Sequence, residues 1–473
     1  SRITVEMLAA LPEKISNDLR LLVNTVLKPN GGSFKSWKKR VVAPKPKVDN
    51  DNSIENTRPI NLLDVIMKGF WAIILTRIQH IWEDNQILHP MQFAFRRNQR
   101  IEAPVLLATM LSEKHNRNKV NLYACAQDVK KAYDTVHRHI GKEISLRRLG
   151  IPELIIDRLL EMDRENYTVV VTAYGLSDEI LGQEGSFEME RGICQGSSES
   201  PDIWNAFYDI LLHLQDDYIG LDDPEIQDPN GSSCEVIGSA FADDTFWISG
   251  SRQGMELRLN ITALFLEFMG MSQNSKKSWM MGMEFDASGR HDIDETSWKP
   301  AIYSSSDLFG SGELPEIDST KDRLCSATPQ ELVNTTPLKK GLKWLGFQFS
   351  LLPDRTHTSE RALQKMKEGK AQFQFWQSVM NPWSANYIYD QMWMKIQYMM
   401  KFSCVSEYQM NLLQGKIRPH FLGAIHLKGL RTKLVHLSPE LGGLGKQSWL
   451  DLIMMDRLTL IYLWITTKSN YGM

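Results

Sequence analysis

The chain has 473 residues, 42% of them hydrophobic, and cores stop growing near ~250 to 300 residues, so we expect two or three lobes. No apolar run reaches the ~18 residues of a membrane helix and no signal-peptide pattern is present, which argues against a membrane partner and favours a soluble intracellular protein. The five cysteines lack CxxC or knuckle spacing, so neither a disulfide framework nor a zinc site is indicated.

Charge is distributed unevenly, although the formal net charge is only −3. Between Gly192 and Gly250 there are twelve Asp and Glu and no Lys or Arg, whereas Gln391 to His436 holds seven Lys and Arg against one acid. This separation is expected if the middle of the chain holds cations and the C-terminal region holds a polyanion. Solvated faces of unequal charge explain this feature alone equally well.

The first third of the chain predicts helices around one exposed strand. An amphipathic pattern predicts a helix from Leu8 to Val26, followed by a Gly-Gly turn. RVVAPKPKV is strand-like, and DNDNSIENT reads as a flexible loop that runs into RPINLL. Helical spacing returns from Val65 to Asp84 and from Pro104 to His115.

The middle of the chain predicts an α+β lobe with a small antiparallel sheet. NLYACAQDVKKAYDTV begins as a strand and becomes helical from His137 to Leu149, and YTVVVTAYG predicts another strand. SPDIWNAFYDILLHLQDDY predicts a largely buried helix. CEVIGSAFADDTFWISG predicts a hairpin with acids at its tip, followed by a helix from Gln253 to Met269.

The last third predicts an insertion, a strand and then helices. From about residue 286 to 336 the chain is polar without a sustained period, which indicates an insertion or long loop. LKWLGFQFSLL predicts a strand, and beyond Ser359 the chain is expected to be all-helical with breaks at Pro382 and Pro419.

Three aspartates stand at the ends of apolar strands. Asp243 and Asp244 are neighbours inside an apolar run, and successive strand residues point to opposite faces, so at least one should meet a cation. Magnesium prefers oxygen ligands, and Asp128, at the end of its own strand, is the natural third ligand. Any one of these acids taken alone is better explained as an ordinary turn residue.

Several ordered motifs resemble those of reverse transcriptases. AQDVKKAYDTV, RGICQGSSESP and AFADDTFWI are similar to the palm motifs of that family, with RPINLL upstream and NSKKS and KWLGF downstream. QFAFRRNQR and the late LGGLG resemble the non-LTR, LINE-type branch. Ala94 stands where that branch usually has Gly.

The resemblance implies a right-hand polymerase fold of the α+β class, with fingers, a palm that holds a small antiparallel sheet, and a helical thumb. The expected divisions are 1–120 for an N-terminal extension and fingers, 121–285 for the palm with fingers insertions, 286–336 for the polar insertion, 337–358 for the primer-grip hairpin and 359–473 for the thumb and C-terminal extension.

The resemblance also assigns the catalytic acids. Asp128 and Asp243 would be the principal ligands of two Mg²⁺ ions, with Mn²⁺ as a possible substitute and Asp244 as an auxiliary acid. Tyr133 matches the aromatic residue beneath the sugar, where the ring would exclude a 2′-hydroxyl. Ordinary core packing is the alternative role of Tyr133.

Further residues match the nucleotide site and the primer grip. Gln195 and Gly196 would lie beside the incoming nucleotide and the template, the alternative being a plain turn before a helix capped by Ser200. Arg58 would bind the triphosphate with help from Lys47, although both could be solvated loop charges.

Lys277 resembles the lysine that neutralises the departing pyrophosphate, with neighbouring Lys276 as the competing assignment. Trp344, Leu345 and Gly346 match the primer-grip hairpin.

The leading hypothesis is an RNA-directed DNA polymerase of a non-LTR retrotransposon, which would bind an RNA template, a DNA primer and deoxynucleoside triphosphates in the nucleus and cytoplasm. No endonuclease block or zinc knuckle is recognisable, so we expect that the endonuclease part of a larger polyprotein is missing. The alternatives are a group II intron-like or domesticated reverse transcriptase, and a catalytically inert palm that serves as an RNA-binding scaffold.

Overall fold

The computed structural model describes residues 5–47, 53, 56–217, 223–227, 233–293, 297–304, 333–352, 356–376, 381–402, 406–427, 429–436, 438–441 and 444–466. The helices are α1 (Val5–Ala9), α2 (Glu13–Asn24), α3 (Lys35–Lys38), α4 (Val65–Asp84), α5 (Glu102–Asn118), α6 (Ala132–Thr135), α7 (Ser145–Arg148), α8 (Glu153–Asp163), α9 (Ser177–Leu181), α10 (Ser200–Asp216), α11 (Arg252–Phe268), α12 (Thr356–Trp376), α13 (Pro382–Lys401), α14 (Glu407–Ala424), α15 (Thr432–His436) and α16 (Trp449–Thr466).

The strands are β1 (Lys39–Pro46), β2 (Thr57–Leu62), β3 (Leu122–Gln127), β4 (Tyr167–Thr172), β5 (Gly175–Leu176), β6 (Ser186–Phe187), β7 (Glu225–Gln227), β8 (Ser233–Glu235), β9 (Gly238–Phe241), β10 (Asp244–Ser249), β11 (Trp279–Asp286), β12 (Gly289–Asp292), β13 (Asn334–Thr335), β14 (Leu342–Trp344) and β15 (Phe347–Phe349). A π-helical segment, His139–Ile144, precedes α7.

The central sheet has the strand order β12-β11-β3-β10-β9, and the short β13 pairs in parallel with β11. Its other pairings are antiparallel. Every residue of β3 is buried, which fits its nearly continuous apolar sequence and its place in the middle of the sheet.

Both faces of this sheet are covered, because alternate strand residues enter two different cores. Tyr123, Cys125 and Trp247 pack with α10 and α11. Phe246 and Ile248 pack with α5 and with the β14–β15 hairpin on the opposite face. The end of β3 and the start of β10 are thereby held between two packed layers.

A second sheet has the order β2-β1-β4-β5, with β6 also paired to β4, and we refer to it as the fingers sheet. β1 runs antiparallel to β2 and parallel to β4, with Val41 opposite both Leu62 and Val169. RPINLL therefore lies largely on β2, because its residues complete the ladder of β1. The loop predicted over DNDNSIENT lies mostly outside the described residues.

The C-terminal helices α12 to α16 form a third core of their own. Tyr389 and Trp393 of α13 pack with Trp449 of α16 at ring distances of 5.3 and 6.0 Å. The expectation of helices beyond Ser359 agrees with the described part of this region. In the described residues no helix is both long and apolar enough to span a membrane.

Three local expectations were wrong. The predicted helix from Leu8 to Val26 is interrupted, because α2 begins only after Pro12, which is its N-cap residue. In addition, no residue of α2 is buried. Pro382 does begin a helix, but Pro419 lies inside α14, which continues because Ile417 and Phe421 are buried on either side of it. Ser200 is not a cap, because Glu199 is the N-cap residue of α10.

The predicted polar insertion lies only partly within the described chain. Its residues 294–296 and 305–332 fall outside the described ranges. The remainder contributes β12, which pairs with β11, and β13, which starts the return to the hairpin.

Candidate functional site

The three aspartates predicted as catalytic lie at one end of the neighbouring strands β3 and β10 in the central sheet. Asp128 directly follows β3, and Asp244 is the first residue of β10. Because Gln127 pairs with Thr245 in the antiparallel ladder, Asp128 and Asp244 are the next opposing positions. Asp243 precedes Asp244 in the β9–β10 turn.

Burial and mutual repulsion perturb the acids of the turn. Burial raises the pKa of Asp243 to about 6, with a smaller contribution from the Asp128 carboxylate. Burial also raises the pKa of Asp244 to about 7, reinforced by the charges of Asp243 and Asp128, while Lys277 and Lys343 act in the opposite sense. Half-buried carboxylates that repel one another favour binding of a cation.

Asp128 is oriented by the segment that follows α11. Asn274 donates its side-chain N–H to Asp128 Oδ2 at 2.7 Å, and Ser278 Oγ accepts the Asp128 backbone N–H at 3.3 Å. Lys277 Nζ lies 3.6 Å from Asp128 Oδ2. Of the two candidate lysines, Lys277 therefore makes the ion pair, and Asn274 is a neighbour of the site that sequence reasoning missed.

Tyr133 lies near the same strand ends. Its ring stacks on Trp204 of α10 at 5.5 Å with an interplanar angle of 10°. Burial raises its pKa well above the ordinary value, and the Asp243 carboxylate adds to that shift. Tyr133 is only partly buried, so the side chain packs against the core and keeps some exposed surface.

Gln195 and Gly196 connect the palm edge to β2. Gln195 donates to Asp134 Oδ1 at 3.1 Å, and its carbonyl accepts the backbone N–H of Asn61 at 2.7 Å. Gly196 has a φ of +103°, and a Cβ there would lie 2.9 Å from the Asn61 carbonyl oxygen. Glycine is therefore required both by the left-handed backbone and by the close approach of β2.

The predicted phosphate-binding cations are in different surroundings. Lys47 is exposed at the end of β1, where its charge opposes the burial that raises the pKa of Asp134. Arg58 is exposed on β2, directly across from Lys45. The structure brings Lys47 to the Gln195 and Asp134 pair, and it leaves Arg58 with its side chain in solvent.

The KWLGF hairpin buries Trp344 and leaves its turn at the surface. Trp344 is buried and stacks on Phe246 of β10 with ring centroids 4.2 Å apart. Leu345 and Gly346 form the turn with φ values of +47° and +77°. Only the turn and exposed Lys343, whose charge acts on Asp244, are therefore placed to meet a ligand.

One other group in the described chain has three possible metal ligands within 4.8 Å of one another, namely His89, His213 and Asp216. His89 Nδ1 accepts the Met91 N–H at 3.2 Å, so the ring proton is on Nε2, which lies 2.6 Å from Asp216 Oδ2. Coordination through Nε2 would force a proton onto Nδ1, facing another N–H. We therefore interpret this group as a hydrogen-bonded anchor.

In the described chain the three aspartates predicted as catalytic do not form such a group with all ligand atoms within 4.8 Å. Their donor chemistry nevertheless fits a divalent cation, because three hard oxygen ligands come from two adjacent strand ends.

The chain belongs to the reverse transcriptase (RNA-dependent DNA polymerase) family, whose model matches residues 43–349. The Retrovirus-related Pol polyprotein from type-2 retrotransposable element R2DM of Drosophila melanogaster is 23% identical over 279 residues, which cover 59% of this chain and 24% of that protein. The corresponding protein from type-1 retrotransposable element R2 of Popillia japonica is 29% identical over 236 residues, which cover 49% of this chain and 30% of that protein.

The matched part of this chain thus spans less than a third of the length of either curated relative. Among solved structures, apo telomerase from Candida tropicalis has a TM-score of 0.42 and 11% identity, and the match covers 97% of this chain and 73% of that chain. Family membership confirms the expected right-hand polymerase fold, and the R2 relatives confirm the resemblance to non-LTR elements. Dependence on a divalent metal is general in this family.

Proposed function

We propose that this chain is an RNA-directed DNA polymerase of a non-LTR retrotransposon, which extends a DNA primer on an RNA template with deoxynucleoside triphosphates. The observation that carries the proposal is the set of three carboxylates at adjacent strand ends, of which two have raised pKa values. The family match and the two R2 relatives support the same reaction. We propose the nucleus and cytoplasm as its location.

In this proposal Asp128 and Asp243 would hold two Mg²⁺ ions, with Asp244 assisting and Mn²⁺ as a possible substitute. Ions held there would supply positive charge to neutralise the phosphates during attack of the primer 3′-hydroxyl on the α-phosphate. Asn274 fixes the Asp128 carboxylate, and Lys277 supplies a positive charge at the same oxygen.

The nucleotide would lie between Tyr133 and the Gln195–Gly196 turn. Tyr133, supported by Trp204, would contact the sugar, and Lys47 would approach the phosphates from β1. Arg58 would reach the triphosphate only after its exposed side chain moves toward the turn. The Leu345–Gly346 turn would support the primer end, and Trp344 would hold that turn against β10 from behind.

A primer-extension assay tests this function directly. The purified chain should extend a DNA primer on an RNA template with Mg²⁺, and Asp128→Asn should abolish extension because a neutral amide cannot replace the carboxylate. Asp292→Asn, which removes an acid from exposed β12, is the matched control and should remain active.

Absence of extension by the wild-type chain, with template and primer bound normally, would overturn the proposal and favour the inert RNA-binding scaffold. Equal activity of wild type and Asp128→Asn would show that another centre performs the reaction.

A further inference from the structure

A short segment before α5 pairs with the edge strand of the central sheet. Met91 accepts the Ala240 N–H through its carbonyl at 2.8 Å, and Phe93 donates its N–H to the Ala240 carbonyl at 2.8 Å. Residues 91–93 therefore lie alongside β9, which is the strand that leads into the catalytic turn.

The side chain of Gln92 in this segment grips the catalytic turn itself. Its Oε1 accepts the Ala242 N–H at 3.0 Å, and its Nε2 donates to the Ala242 carbonyl at 3.3 Å. Oε1 also accepts the Ala94 N–H at 3.1 Å. Gln92 is 1% exposed, so this amide is committed wholly to backbone partners.

Ala242 needs such support because its backbone is left-handed. Its φ is +59°, and it is the first central residue of a two-residue turn between the paired positions Phe241 and Asp244. Turns of this length favour glycine at such a position, because the Cβ of an L-residue crowds its own backbone there. The next residue is Asp243, so any relaxation of Ala242 moves that carboxylate.

The segment that carries Gln92 is itself anchored on three sides. His89 donates its backbone N–H to Asp209 Oδ1 at 2.6 Å. Arg96 donates to the His89 carbonyl at 3.0 Å and is paired with Glu83. Asn205 of α10 donates to the Ala94 carbonyl at 3.0 Å. The backbone that carries Gln92 is therefore held in place by contacts other than the Gln92 side chain.

We propose that Gln92 is a positioning residue that holds Ala242 left-handed and thereby sets the place of the Asp243 carboxylate relative to Asp128. The consequence for nucleotidyl transfer rests on the proposed function, whereas the effect on the turn does not. Gln92 touches neither substrate nor metal in this role and acts only through the backbone of Ala242.

Two substitutions test the role in opposite directions. Gln92→Met keeps most of the volume but removes all three hydrogen bonds, whereas Ala242→Gly removes the Cβ that disfavours a positive φ. Gln92→Met should lower kcat by about 10- to 100-fold, as expected for a misplaced catalytic group, with little change in KM for the nucleotide. Adding Ala242→Gly should restore about tenfold of that loss, because glycine adopts the turn without the amide.

The matched control is Asn205→Ala, which removes another buried amide from the same segment without touching Ala242. It should lower thermal stability, and Ala242→Gly should not compensate for it in any measurement. Rescue of Gln92→Met alone therefore separates positioning of the turn from general support of the segment.

Two readouts are independent of turnover. Hydrogen exchange of a peptide that contains residues 241–244 should accelerate in Gln92→Met and slow again in the double variant. Binding of Mn²⁺, followed by electron paramagnetic resonance on the chain alone, should weaken and recover in the same order. If the variants show this pattern but the wild-type chain extends no primer, the proposed function is refuted and the role of Gln92 remains supported.

The proposal for Gln92 is overturned by either of two results on folded variants. In the first, exchange at residues 241–244 and Mn²⁺ binding are unchanged in Gln92→Met. In the second, the double variant is no better than Gln92→Met in both measurements, which would show that the conformation of Ala242 does not depend on the amide.

Discussion

Tyr133 combines two environments in one side chain. One side of the ring stacks on Trp204, which itself stacks on Tyr208 at 5.2 Å, so the ring is supported by a column of aromatic residues. The hydroxyl end is close enough to Asp243 for that carboxylate to raise its pKa. Packing and a contact with the sugar are therefore compatible, and an experiment must measure them separately.

We predict that Tyr133→Ala raises incorporation of ribonucleotides relative to deoxynucleotides. Loss of the ring would open the space for a 2′-hydroxyl, and pocket-shape discrimination of this kind is worth about 1 to 3 kcal/mol. The ratio of the two incorporation rates on a folded variant measures it. Tyr133→Phe, which keeps the ring, should retain the wild-type ratio. An unchanged ratio in Tyr133→Ala, with lower stability, would leave only the packing role.

A second residue-scale prediction concerns Asp202 of α10. Burial raises its pKa to about 7, although Gln79 donates to its Oδ1 at 2.7 Å. The folded chain therefore binds more protons than the unfolded chain between about pH 4 and 7, so this group lowers stability as pH rises through that window. Asp202→Asn should be more stable than wild type at pH 8, on the order of a few kcal/mol, and nearly equal at pH 4.

Thermal unfolding of both proteins across this pH range measures the difference. Parallel curves for the wild type and Asp202→Asn would show that Asp202 is ionised at no cost in the folded chain.

The residues of the site differ in whether the neighbouring sequence indicates their role. Asp128, Asp243 and Asp244 could be predicted because each follows or begins an apolar strand. Gln92 and Asn274 could not, because they act on residues 150 and 146 positions away, and nothing in their local pattern indicates those partners.

At the scale of elements, strands with regular alternation or flanking acids were predicted correctly, and strands that depend on a distant partner were missed. β11 has the sequence WMMGMEFD, whose unbranched Met residues carry no strong strand preference. It forms because Met280 pairs with Cys125 of β3, far away in sequence. Pro419 was misjudged for a similar reason, since the core around it maintains the helix.

The thumb helices yield an element-scale prediction about the nucleic-acid backbone. Arg431 is exposed and Arg418 is half-buried, whereas Lys428 lies outside the described residues. Replacing Arg418 and Arg431 with Ala should weaken binding of template and primer. It should also reduce the slope of log affinity against log salt by about 1 for each phosphate that the variant no longer neutralises.

Salt titrations of binding measure that slope. The control replaces two exposed cations outside the thumb, Arg117 and Lys119 at the end of α5, and should leave the slope unchanged. Equal slopes for all three proteins would exclude these arginines from binding the phosphates.

At the scale of the whole molecule, the fingers sheet is joined to the rest of the chain by a buried ionic centre around Asp163. Arg40 of β1 donates to Asp163 Oδ1 at 2.6 Å, and Lys142 of the π-helical segment pairs with Oδ2. Arg138 donates to the Asp163 carbonyl at 3.3 Å. Burial alone would raise the pKa of Asp163, but Lys142 and Arg40 outweigh it and hold the pKa below its ordinary value.

This centre couples the fingers to the nucleotide turn. β1 pairs with β2, and Asn61 of β2 donates its backbone N–H to the Gln195 carbonyl at 2.7 Å, so a shift of β1 would also be felt at the turn. Because Asp163 has a lowered pKa, its contribution to stability is present above the unfolded pKa and is lost as pH falls through the folded value.

We predict that Asp163→Asn destabilises the chain by about 3 to 5 kcal/mol at pH 7, because it leaves Arg40 and Lys142 buried without a counter-charge. Denaturant unfolding measures the loss, which should shrink as pH falls and the wild-type carboxylate is itself protonated. The matched control is Asp178→Asn, which breaks the more exposed pair with Lys39 at 3.3 Å and should cost much less stability, because surface ion pairs contribute little. Where the variant remains folded, KM for the nucleotide should rise more than kcat falls, since β1 carries Lys47 to the site. A stability loss no larger than that of Asp178→Asn would mean that the buried cations are compensated without Asp163, and that the fingers are held in place by the β1–β4 pairing alone.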